Sequence, residues 1–237
     1  MLKTRLRQVF DDPKRLPTAV LRRLSPTHRR FGSTVVRRPD GSVTFREAGF
    51  VSARSPAELL ARHNFETAVI RDHFRARHFD RSLEIGCGYG RLTPTFADFS
   101  DEHFPVDINP EALELAAMTY PDYHFSEASA LELPFPDQHF GLISTWTVIQ
   151  HIPPSQIERA CNEIVRVLAV GGLLLICEET KFADVPLSDN AHTWHRRVDT
   201  YKDLFGDLQF RDASAIASIE RLPGVHSPGT VMVWEKA

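Results

Sequence analysis

Apolar positions in this chain recur with two different periods, and their order predicts alternating strands and helices. From residue 82 onward, short apolar runs alternate with longer segments in which apolar residues recur every three or four positions. This alternation is typical of βαβ units built on a parallel sheet. The predicted strands cover residues 82–86, 103–107, 123–126, 140–145 and 173–178. The predicted helices between them cover residues 92–99, 110–120 and 154–168.

The C-terminal part predicts a late helix at residues 200–205 and two last β-type segments, at 210–219 and 230–235. We expect these two segments to add an antiparallel end to the sheet. The sequence therefore predicts an α/β fold with a mostly parallel sheet, an antiparallel C-terminal strand and helices on both faces.

The N-terminal part is organised differently. Residues 2–24 follow a mostly helical spacing that two prolines interrupt, which predicts two short helices. Segments 33–36 and 43–45 flank a turn that contains proline and glycine, which predicts a hairpin.

A helix over residues 55–77 leads from this part into the core, because Ser55 can cap it, Pro56 suits its first turn and Glu58 completes a capping box. We therefore expect two domains. Residues 1–54 form a basic extension that could act as a lid, and residues 55–237 form the main domain.

Length and composition favour a single large core, since the chain has 237 residues, of which 42% are hydrophobic and 25% charged. Apolar stretches stay well short of the ~20 residues that span a bilayer, and the first eight residues do not form a signal-peptide core. We expect a cytoplasmic protein. Its three cysteines are too far apart for a zinc knuckle and odd in number, so we expect reduced thiols and no metal site.

The net charge of −3 hides an asymmetry between the two ends of the chain. Residues 1–40 hold 11 Lys and Arg against 3 Asp and Glu, whereas the remainder holds 17 against 28. A basic leader of this kind can follow nucleic acid, make peripheral contact with an anionic membrane surface, or dock against its own acidic domain.

A glycine-rich loop is the strongest local signal for function. The apolar strand predicted at residues 82–86 runs directly into a loop with Gly86, Gly88 and Gly90 at every second position. Such a loop lets a ligand lie against bare backbone, because glycine has no Cβ and reaches positive φ angles. Asp107 ends the next predicted strand, where a carboxylate can bind a ribose diol. Together these features indicate a nucleoside site.

The spacing of the loop helps to identify the nucleoside. A dinucleotide fingerprint needs glycine at position 91, which is Arg91 here. Residues 84–90 instead resemble the first motif of the class I S-adenosylmethionine-dependent methyltransferases, in particular the small-molecule group similar to ubiquinone and menaquinone methyltransferases. The resemblance implies a Rossmann-like fold with a seven-stranded sheet, S-adenosylmethionine as the cofactor and Asp107 as its ribose-binding acid.

Further motifs extend the resemblance to about residue 179. Residues 128–135 resemble the segment that wraps the adenine, although Ser129 stands where the family commonly has aspartate. Residues 148–153 and 163–172 resemble the helix and turn before the fifth strand, with Val170 in place of the usual proline. The cofactor-binding residues that the resemblance implies are Glu84, Gly86, Cys87, Gly88, Gly90, Arg91, Asp107, Ile108, Ser129, Ala130, Leu131, Trp146 and Gln150.

Methyl transfer to an oxygen or nitrogen atom also needs a base that takes a proton from the acceptor. Candidates should lie at the carboxyl ends of the strands, where ligands bind in open α/β sheets. His151, Glu178 and His195 are the predicted catalytic residues. Glu179 is an alternative to Glu178, because strand alternation turns one of the two away. His151 could instead bond backbone at a helix entry.

A predicted loop at residues 192–197 concentrates imidazole, indole and guanidinium groups and could cap the acceptor. Trp194 would form an aromatic wall, while Arg196, or its neighbour Arg197, would bind a carboxylate or phosphate of the substrate. The alternative is a solvated basic loop with Trp194 packed inward.

The expected function is transfer of a methyl group from S-adenosylmethionine to an oxygen or nitrogen atom, less so a carbon atom, of a small molecule. Two other functions stay open, a nicotinamide-dependent oxidoreductase on a related fold and a non-catalytic protein that binds the adenosyl cofactor. A nucleic-acid substrate is not expected, since residues 150–154 stand where the Asn-Pro-Pro-aromatic motif would lie. We expect a monomer or a homodimer.

Overall fold

The computed structural model describes residues 34–37, 43–47, 51–53, 56–180, 185–187, 190–215 and 229–237. The predicted helices within residues 2–24 and the turn of the predicted hairpin lie outside these residues. The strands are β1 (Thr34–Arg37), β2 (Val43–Glu47), β3 (Val51–Ala53), β4 (Phe79–Ile85), β5 (Ser100–Asp107), β6 (Ser126–Glu127), β7 (Phe140–Trp146), β8 (Leu168–Glu178), β9 (Val185–Leu187), β10 (Asn190–His195), β11 (Gln209–Ala215) and β12 (Thr230–Glu235). The helices are α1 (Pro56–His73), α2 (Thr93–Ala97), α3 (Pro110–Thr119), α4 (Ile157–Val167) and α5 (Val198–Leu204), with a 3₁₀ turn at Ile149–His151.

The chain divides into two compact units, Met1–Val69 with Ile219–Ser227, and Ile70–Ser218 with Pro228–Ala237. In the described part of the first unit, β1 pairs antiparallel with β2, and β2 pairs antiparallel with β3. Val35 lies opposite Phe45, so the first two strands pair as the predicted hairpin requires. The predicted division between residues 54 and 55 stays a prediction.

The second unit is built on a seven-stranded sheet in the order β11-β12-β8-β7-β4-β5-β6. Its neighbouring strands are parallel except for β12, which runs antiparallel to both β8 and β11. The predicted α/β fold, with a mostly parallel sheet and an antiparallel C-terminal strand, is confirmed. The carboxyl ends of β4, β5, β7 and β8 therefore meet at one edge of the sheet.

One face of this sheet carries the main hydrophobic core. Residues two apart on a strand share a face, so Leu83 and Ile85 lie on the same side of β4. Both belong to a buried cluster with Ile143 of β7, Ile164 of α4 and Phe205, which caps the carboxyl end of α5. Full burial of a side chain of this size contributes about 1.5–3 kcal/mol, so this face fixes the sheet on which the loops at its carboxyl edge rest.

Among the predicted elements whose bounds differ from the structure, three bear on the site. The predicted strand at 123–126 is β6, which begins only at Ser126, because residues 120–123 close a turn from Tyr123 N to Tyr120 O of 3.1 Å. The predicted start of the fifth strand at 173 is wrong, since β8 begins at Leu168 directly after α4. Gly171 and Gly172 were expected in a turn before this strand, yet both pair with Lys236.

The third difference concerns the predicted loop at residues 192–197. Most of it forms strand β10, which pairs antiparallel with β9. Pro186 lies opposite Trp194 and Val185 lies opposite His195. The loop prediction was wrong because this short strand contains few β-branched residues and shows no clear alternation of apolar and polar positions.

Candidate active site

The glycine loop after β4 is held against the end of β5 by backbone hydrogen bonds. Gly86 N and Cys87 N both donate to Val106 O, at 2.7 and 2.9 Å. The φ angles of Gly86, Gly88 and Gly90 are +75°, +55° and +81°, a region that side chains with a Cβ seldom adopt. The alternation of glycine in the sequence therefore meets a backbone requirement at each position.

The three glycines differ in what surrounds them. A Cβ on Gly86 would lie 2.3 Å from a methyl carbon of Val148, and a Cβ on Gly90 would lie 2.9 Å from the rings of Tyr120 and Phe125. Among the residues that the structure describes, none beyond the two chain neighbours has an atom within 4 Å of a Cβ built on Gly88. Two glycines thus allow close packing within the protein, whereas the third faces open space that a ligand could fill.

Asp107 lies beside this open position, at the end of β5. Its Oδ2 accepts a hydrogen bond from Gly88 N at 2.7 Å, and its Oδ1 accepts one from Asn109 N at 2.8 Å. Partial burial raises the pKa of the carboxyl although these backbone bonds oppose the rise. Each carboxylate oxygen keeps a lone pair for a further donor. The next residue, Ile108, is 68% exposed and offers an apolar surface beside the carboxylate.

The segment predicted to wrap the adenine lies next to Asp107. Ala128 N donates to Asp107 O at 3.0 Å, and a tight turn joins Glu132 N to Ser129 O at 3.0 Å. Ser129 Oγ accepts from Leu131 N at 3.2 Å, which leaves its hydroxyl proton available as a donor. Ala130 and Leu131 are half-buried. The structure thus brings four of the predicted cofactor-binding residues together beside the glycine loop, namely Asp107, Ser129, Ala130 and Leu131.

The Glu84 carboxylate is bound to side chains of the neighbouring elements. Its side chain is 6% exposed, and Oε2 accepts from Thr93 Oγ1 at 2.6 Å and contacts His103 Nε2 at 3.3 Å. The carboxylate thus joins β4 to the start of α2 and to β5 beneath the loop. Cys87 is also buried, and burial raises the pKa of its thiol. Arg91 is half-buried at the end of the loop.

Trp146 ends β7 at the same edge of the sheet. Its side chain is 7% exposed, and its indole Nε1 has no hydrogen-bond partner among the residues that the structure describes. Thr147, which follows it, has a φ of +56° and turns the chain toward the 3₁₀ turn. Gln150 in that turn is buried, and its Oε1 accepts from Glu179 N at 2.9 Å. Trp146 thus presents a buried donor without an acceptor.

Glu178 lies completely buried at the end of β8. Its Oε1 accepts from the backbone N–H groups of Val148 at 3.0 Å and Ile149 at 2.8 Å, and its Oε2 accepts from Gln150 N at 3.2 Å. Burial raises the pKa of this carboxyl to about 7, while the three backbone bonds and the charge of Arg196 act in the opposite direction. The carboxylate is directed into the protein at the amino end of the 3₁₀ turn.

Arg196 approaches the same turn from its other end. Its Nη1 donates to Ile149 O at 3.1 Å, and its Nη2 donates to Ile152 O at 2.6 Å. The residue is 5% exposed. Its guanidinium is therefore engaged with backbone carbonyls, which differs from the predicted contact with a substrate. Trp194 is half-buried and Arg197 is exposed.

The two histidines of the predicted catalytic set both contact polar side chains near β10. His151 is exposed, and its Nδ1 lies 3.2 Å from Thr193 Oγ1. His195 is 5% exposed, and its Nε2 lies 2.9 Å from Glu179 Oε2. Thr193 and His195 are two residues apart and share one side of β10.

The structure thus brings His151, Glu178 and His195 to one edge of the sheet, at the carboxyl ends of β7 and β8. The sequence prediction gave no role to Thr193, and no separate role to Glu179 beside Glu178. A strand prediction for this segment would have pointed to Thr193, because residues 193 and 195 lie on the same side of a strand.

Other kinds of site are not found within the part of the chain that the structure describes. No group of three or more His, Cys, Asp or Glu residues there could hold a metal ion. No described helix is long and apolar enough to cross a bilayer. Cys87, Cys161 and Cys177 are all buried, and none of them forms a disulfide.

Comparison with known families identifies the central part of the chain. Residues 83–176 match the family described as a methyltransferase domain. The chain is 33% identical over 131 residues to the ubiquinone/menaquinone biosynthesis C-methyltransferase UbiE of Vibrio vulnificus (strain YJ016), a match that covers 51% of this chain and 50% of that protein. The chain spans about half the length of the curated relatives it matches. The predicted resemblance is confirmed.

Solved structures share the fold at lower identity. The N-methyltransferase NodS of Bradyrhizobium japonicum WM9, solved in complex with S-adenosyl-L-homocysteine, aligns with a TM-score of 0.60 and 20% identity, over 74% of this chain and 86% of that one. The [4+2]-cyclase SpnF aligns with a TM-score of 0.58 and 17% identity, over 72% and 80% of the two chains. The Rossmann-like methyltransferase fold of the domain is therefore confirmed, and SpnF illustrates that this fold also carries other chemistry.

Proposed function

We propose that this chain, which contains a domain of the class I methyltransferase type, transfers a methyl group from S-adenosylmethionine to an oxygen or nitrogen atom of a small molecule. The observation that supports this most is the open side of Gly88 next to the Asp107 carboxylate, within the segment that matches the methyltransferase domain. The cofactor supplies a sulfonium methyl group that is already activated. The protein must therefore bind the cofactor, orient the acceptor and take up a proton.

The residues at the carboxyl edge fit an adenosyl cofactor. The carboxylate of Asp107 can accept from the ribose hydroxyls while it keeps its two backbone bonds. Exposed Ile108 offers an apolar surface for the adenine, and the Ser129 hydroxyl can donate to a ring nitrogen. The buried indole N–H of Trp146 needs an acceptor, such as an oxygen of the bound ligand. Gly88 lets the ligand approach the backbone.

His151 is the proposed general base. His151 is exposed, and its Nδ1 lies 3.2 Å from Thr193 Oγ1, so a proton on Nδ1 would be donated to this hydroxyl. In the tautomer with this proton, Nε2 carries the lone pair that can accept a proton from a hydroxyl or an ammonium acceptor. The contact between buried His195 and half-buried Glu179 would fix β10 beside this histidine.

A carbon acceptor is the second candidate, and the similarity to UbiE, which is named a C-methyltransferase, favours it. Identification of the methylated atom in the product distinguishes an oxygen or nitrogen acceptor from a carbon acceptor. The assay incubates the protein with S-adenosylmethionine and a panel of phenols, amines and quinols, and mass spectrometry detects each product that gains one methyl group. Cofactor binding without turnover on the whole panel would instead favour the non-catalytic alternative.

Asp107→Ala tests the cofactor site. We expect the affinity for S-adenosylhomocysteine to fall by roughly 1.5–3 kcal/mol, because hydrogen bonds from the ribose to a charged acceptor are lost. Isothermal titration calorimetry measures this change, with Asp80→Ala as the control because Asp80 is an exposed carboxylate at the start of β4. Equal affinities for the wild type and Asp107→Ala would remove the ribose role, and absence of binding to the folded wild type would end the proposed function.

His151→Gln tests the base. We expect kcat to fall by roughly 10²–10⁴-fold, the usual contribution of a general base, while the Kd for S-adenosylhomocysteine changes little. His124→Gln is the matched control, because His124 is an exposed histidine on the segment before β6. A kcat for His151→Gln equal to that of the control would exclude His151 as the base.

A further inference from the structure

We infer that Glu178 and Arg196 form a clamp on the two ends of the 3₁₀ turn at Ile149–His151 and thereby position His151. Both are then positioning residues and do not touch the acceptor, which differs from the catalytic and substrate-binding roles expected from the sequence. The inference rests on the proposed function, in which His151 acts as the base.

The 3₁₀ turn cannot provide hydrogen-bond partners for all of its own backbone N–H and carbonyl groups. A 3₁₀ segment of three residues leaves the N–H groups at its start and the carbonyls at its end without partners inside the segment. Buried N–H groups without an acceptor each cost about 1–3 kcal/mol. Ile149 and Gln150 are buried, so their amides must find acceptors within the protein.

Glu178 supplies the acceptors on one side. One carboxylate receives the three successive N–H groups of residues 148, 149 and 150, at 3.0, 2.8 and 3.2 Å. An acidic group at this end also interacts favourably with the partial positive charge of the converging N–H dipoles. The carboxyl end of β8 thus fixes the start of the turn.

Arg196 supplies the donors on the other side. Its two terminal nitrogens reach Ile149 O and Ile152 O, so one planar guanidinium spans the turn from its first residue to the residue after its end. Ile152 N also donates to Ile149 O at 3.0 Å, which closes the turn between these two contacts. His151 lies between them and is the exposed residue of the turn.

Electrostatics joins the two halves of the clamp. Burial raises the pKa of Glu178, while the backbone hydrogen bonds from the turn and, after them, the charge of Arg196 lower it, so the turn and Arg196 favour the same charged form of this carboxyl. Tyr201 of α5 also faces this carboxylate, and Cys161 of α4 faces Arg196. Two buried charged groups seldom increase stability over apolar residues of similar size. Their presence here is therefore better explained by the geometry they impose than by stability.

Glu178→Gln and Arg196→Met test the clamp, with Glu102→Gln and Arg77→Met as matched controls at exposed positions. The first measurement is amide hydrogen exchange in the full chain, which needs no turnover. We expect exchange at Val148, Ile149 and Gln150 to become about fivefold faster in Glu178→Gln, since one hydrogen bond contributes about 1 kcal/mol, while amides within β4 keep their rates. Unchanged exchange at these three amides, or equal acceleration throughout the chain, would overturn the inference.

The second measurement is a double-mutant cycle on kcat. If Glu178 acts through His151, the double variant Glu178→Gln/His151→Gln should be no slower than His151→Gln alone, because the positioned group is already missing. Additive losses would mean that Glu178 acts on the reaction independently of His151. A wild type without turnover would contradict the proposed function only, because the exchange experiment would still decide whether the clamp exists.

Discussion

At the scale of single residues, Glu178 should leave a signature in the pH dependence of stability. Its pKa in the folded protein is about 7, above the ordinary 4.5, because burial disfavours the charged form. The folded protein therefore holds this proton more tightly than the unfolded chain does. The resulting stabilisation is complete below pH 4.5 and is lost as the pH rises through about 7.

Urea unfolding at pH 5 and at pH 8 measures this effect. Relative to Glu178→Gln, which cannot titrate, the wild type should lose roughly 2–3 kcal/mol of unfolding free energy between the two values. Glu102→Gln is the control, because it removes an exposed carboxylate and shows how far such a change alters the unfolding free energy between the two pH values. A difference between the wild type and Glu178→Gln that stays constant, or that grows in favour of the wild type at high pH, would contradict the assigned pKa.

The contacts of individual residues set the limit of what the sequence could predict about the site. The positions of Gly88 and Asp107 followed from a motif, because their requirements are local to a strand end and a tight loop. The roles of Glu178 and Arg196 did not, because their partners are backbone groups about thirty and forty-seven residues away in the chain. Only the paths of β8 and β10 bring them to the same turn, and those paths are set by packing.

At the scale of elements, the glycine loop and the 3₁₀ turn should be coupled through a single contact. Gly86→Ala would place a Cβ 2.3 Å from Val148, in a backbone conformation with φ of +75°. We expect a loss of roughly 2–5 kcal/mol in unfolding free energy, as the sum of left-handed strain and overpacking. Adding Val148→Ala should recover the overpacking part only, and urea unfolding of both variants measures it. A Val148→Ala change that recovers nothing would mean that the loop and turn relax independently.

Gly88→Ala provides the comparison within the same loop. Its φ of +55° carries the strain, roughly 1–2 kcal/mol, but its Cβ meets no protein atom within 4 Å. We expect a smaller loss of stability than for Gly86→Ala and a larger loss of affinity for S-adenosylhomocysteine, which calorimetry measures. If Gly88→Ala bound the ligand as well as the wild type, the open side of this glycine would not be where the ligand lies.

The elements themselves followed from the sequence where periodicity was long and unambiguous. The helix predicted at 110–120 is α3, which begins at Pro110 after an Asn109 cap and ends at Thr119. Strands β4, β5 and β7 end within one residue of their predicted ends. The hairpin of β9 and β10 did not follow, because its short strands gain their order from contacts with residues 149–151 and 179–180 and carry little period of their own.

At the scale of the whole molecule, the residues that we propose for cofactor binding and those that we propose to position His151 lie in different parts of the chain. The segment that matches the methyltransferase domain ends at residue 176, before Glu178, β10 and Arg196. The residues proposed for cofactor binding and His151 lie inside this segment, whereas the two residues proposed to position His151 lie after it. The resemblance therefore covers the first set, while the positioning role of the second rests on the paths of β8 and β10.

A ligand that binds only the folded state should stabilise the whole molecule by mass action. With S-adenosylhomocysteine at one hundred times its Kd, the gain is about 2.7 kcal/mol, which corresponds to a rise in Tm of roughly 5–11 °C for a chain of this size. Differential scanning calorimetry measures this shift. NADH at the same concentration should give none, because Arg91 stands where the dinucleotide loop needs glycine. A shift with NADH alone would favour the oxidoreductase, whereas a shift with S-adenosylhomocysteine that disappears in Asp107→Ala would tie the stabilisation of the fold to the ribose contact.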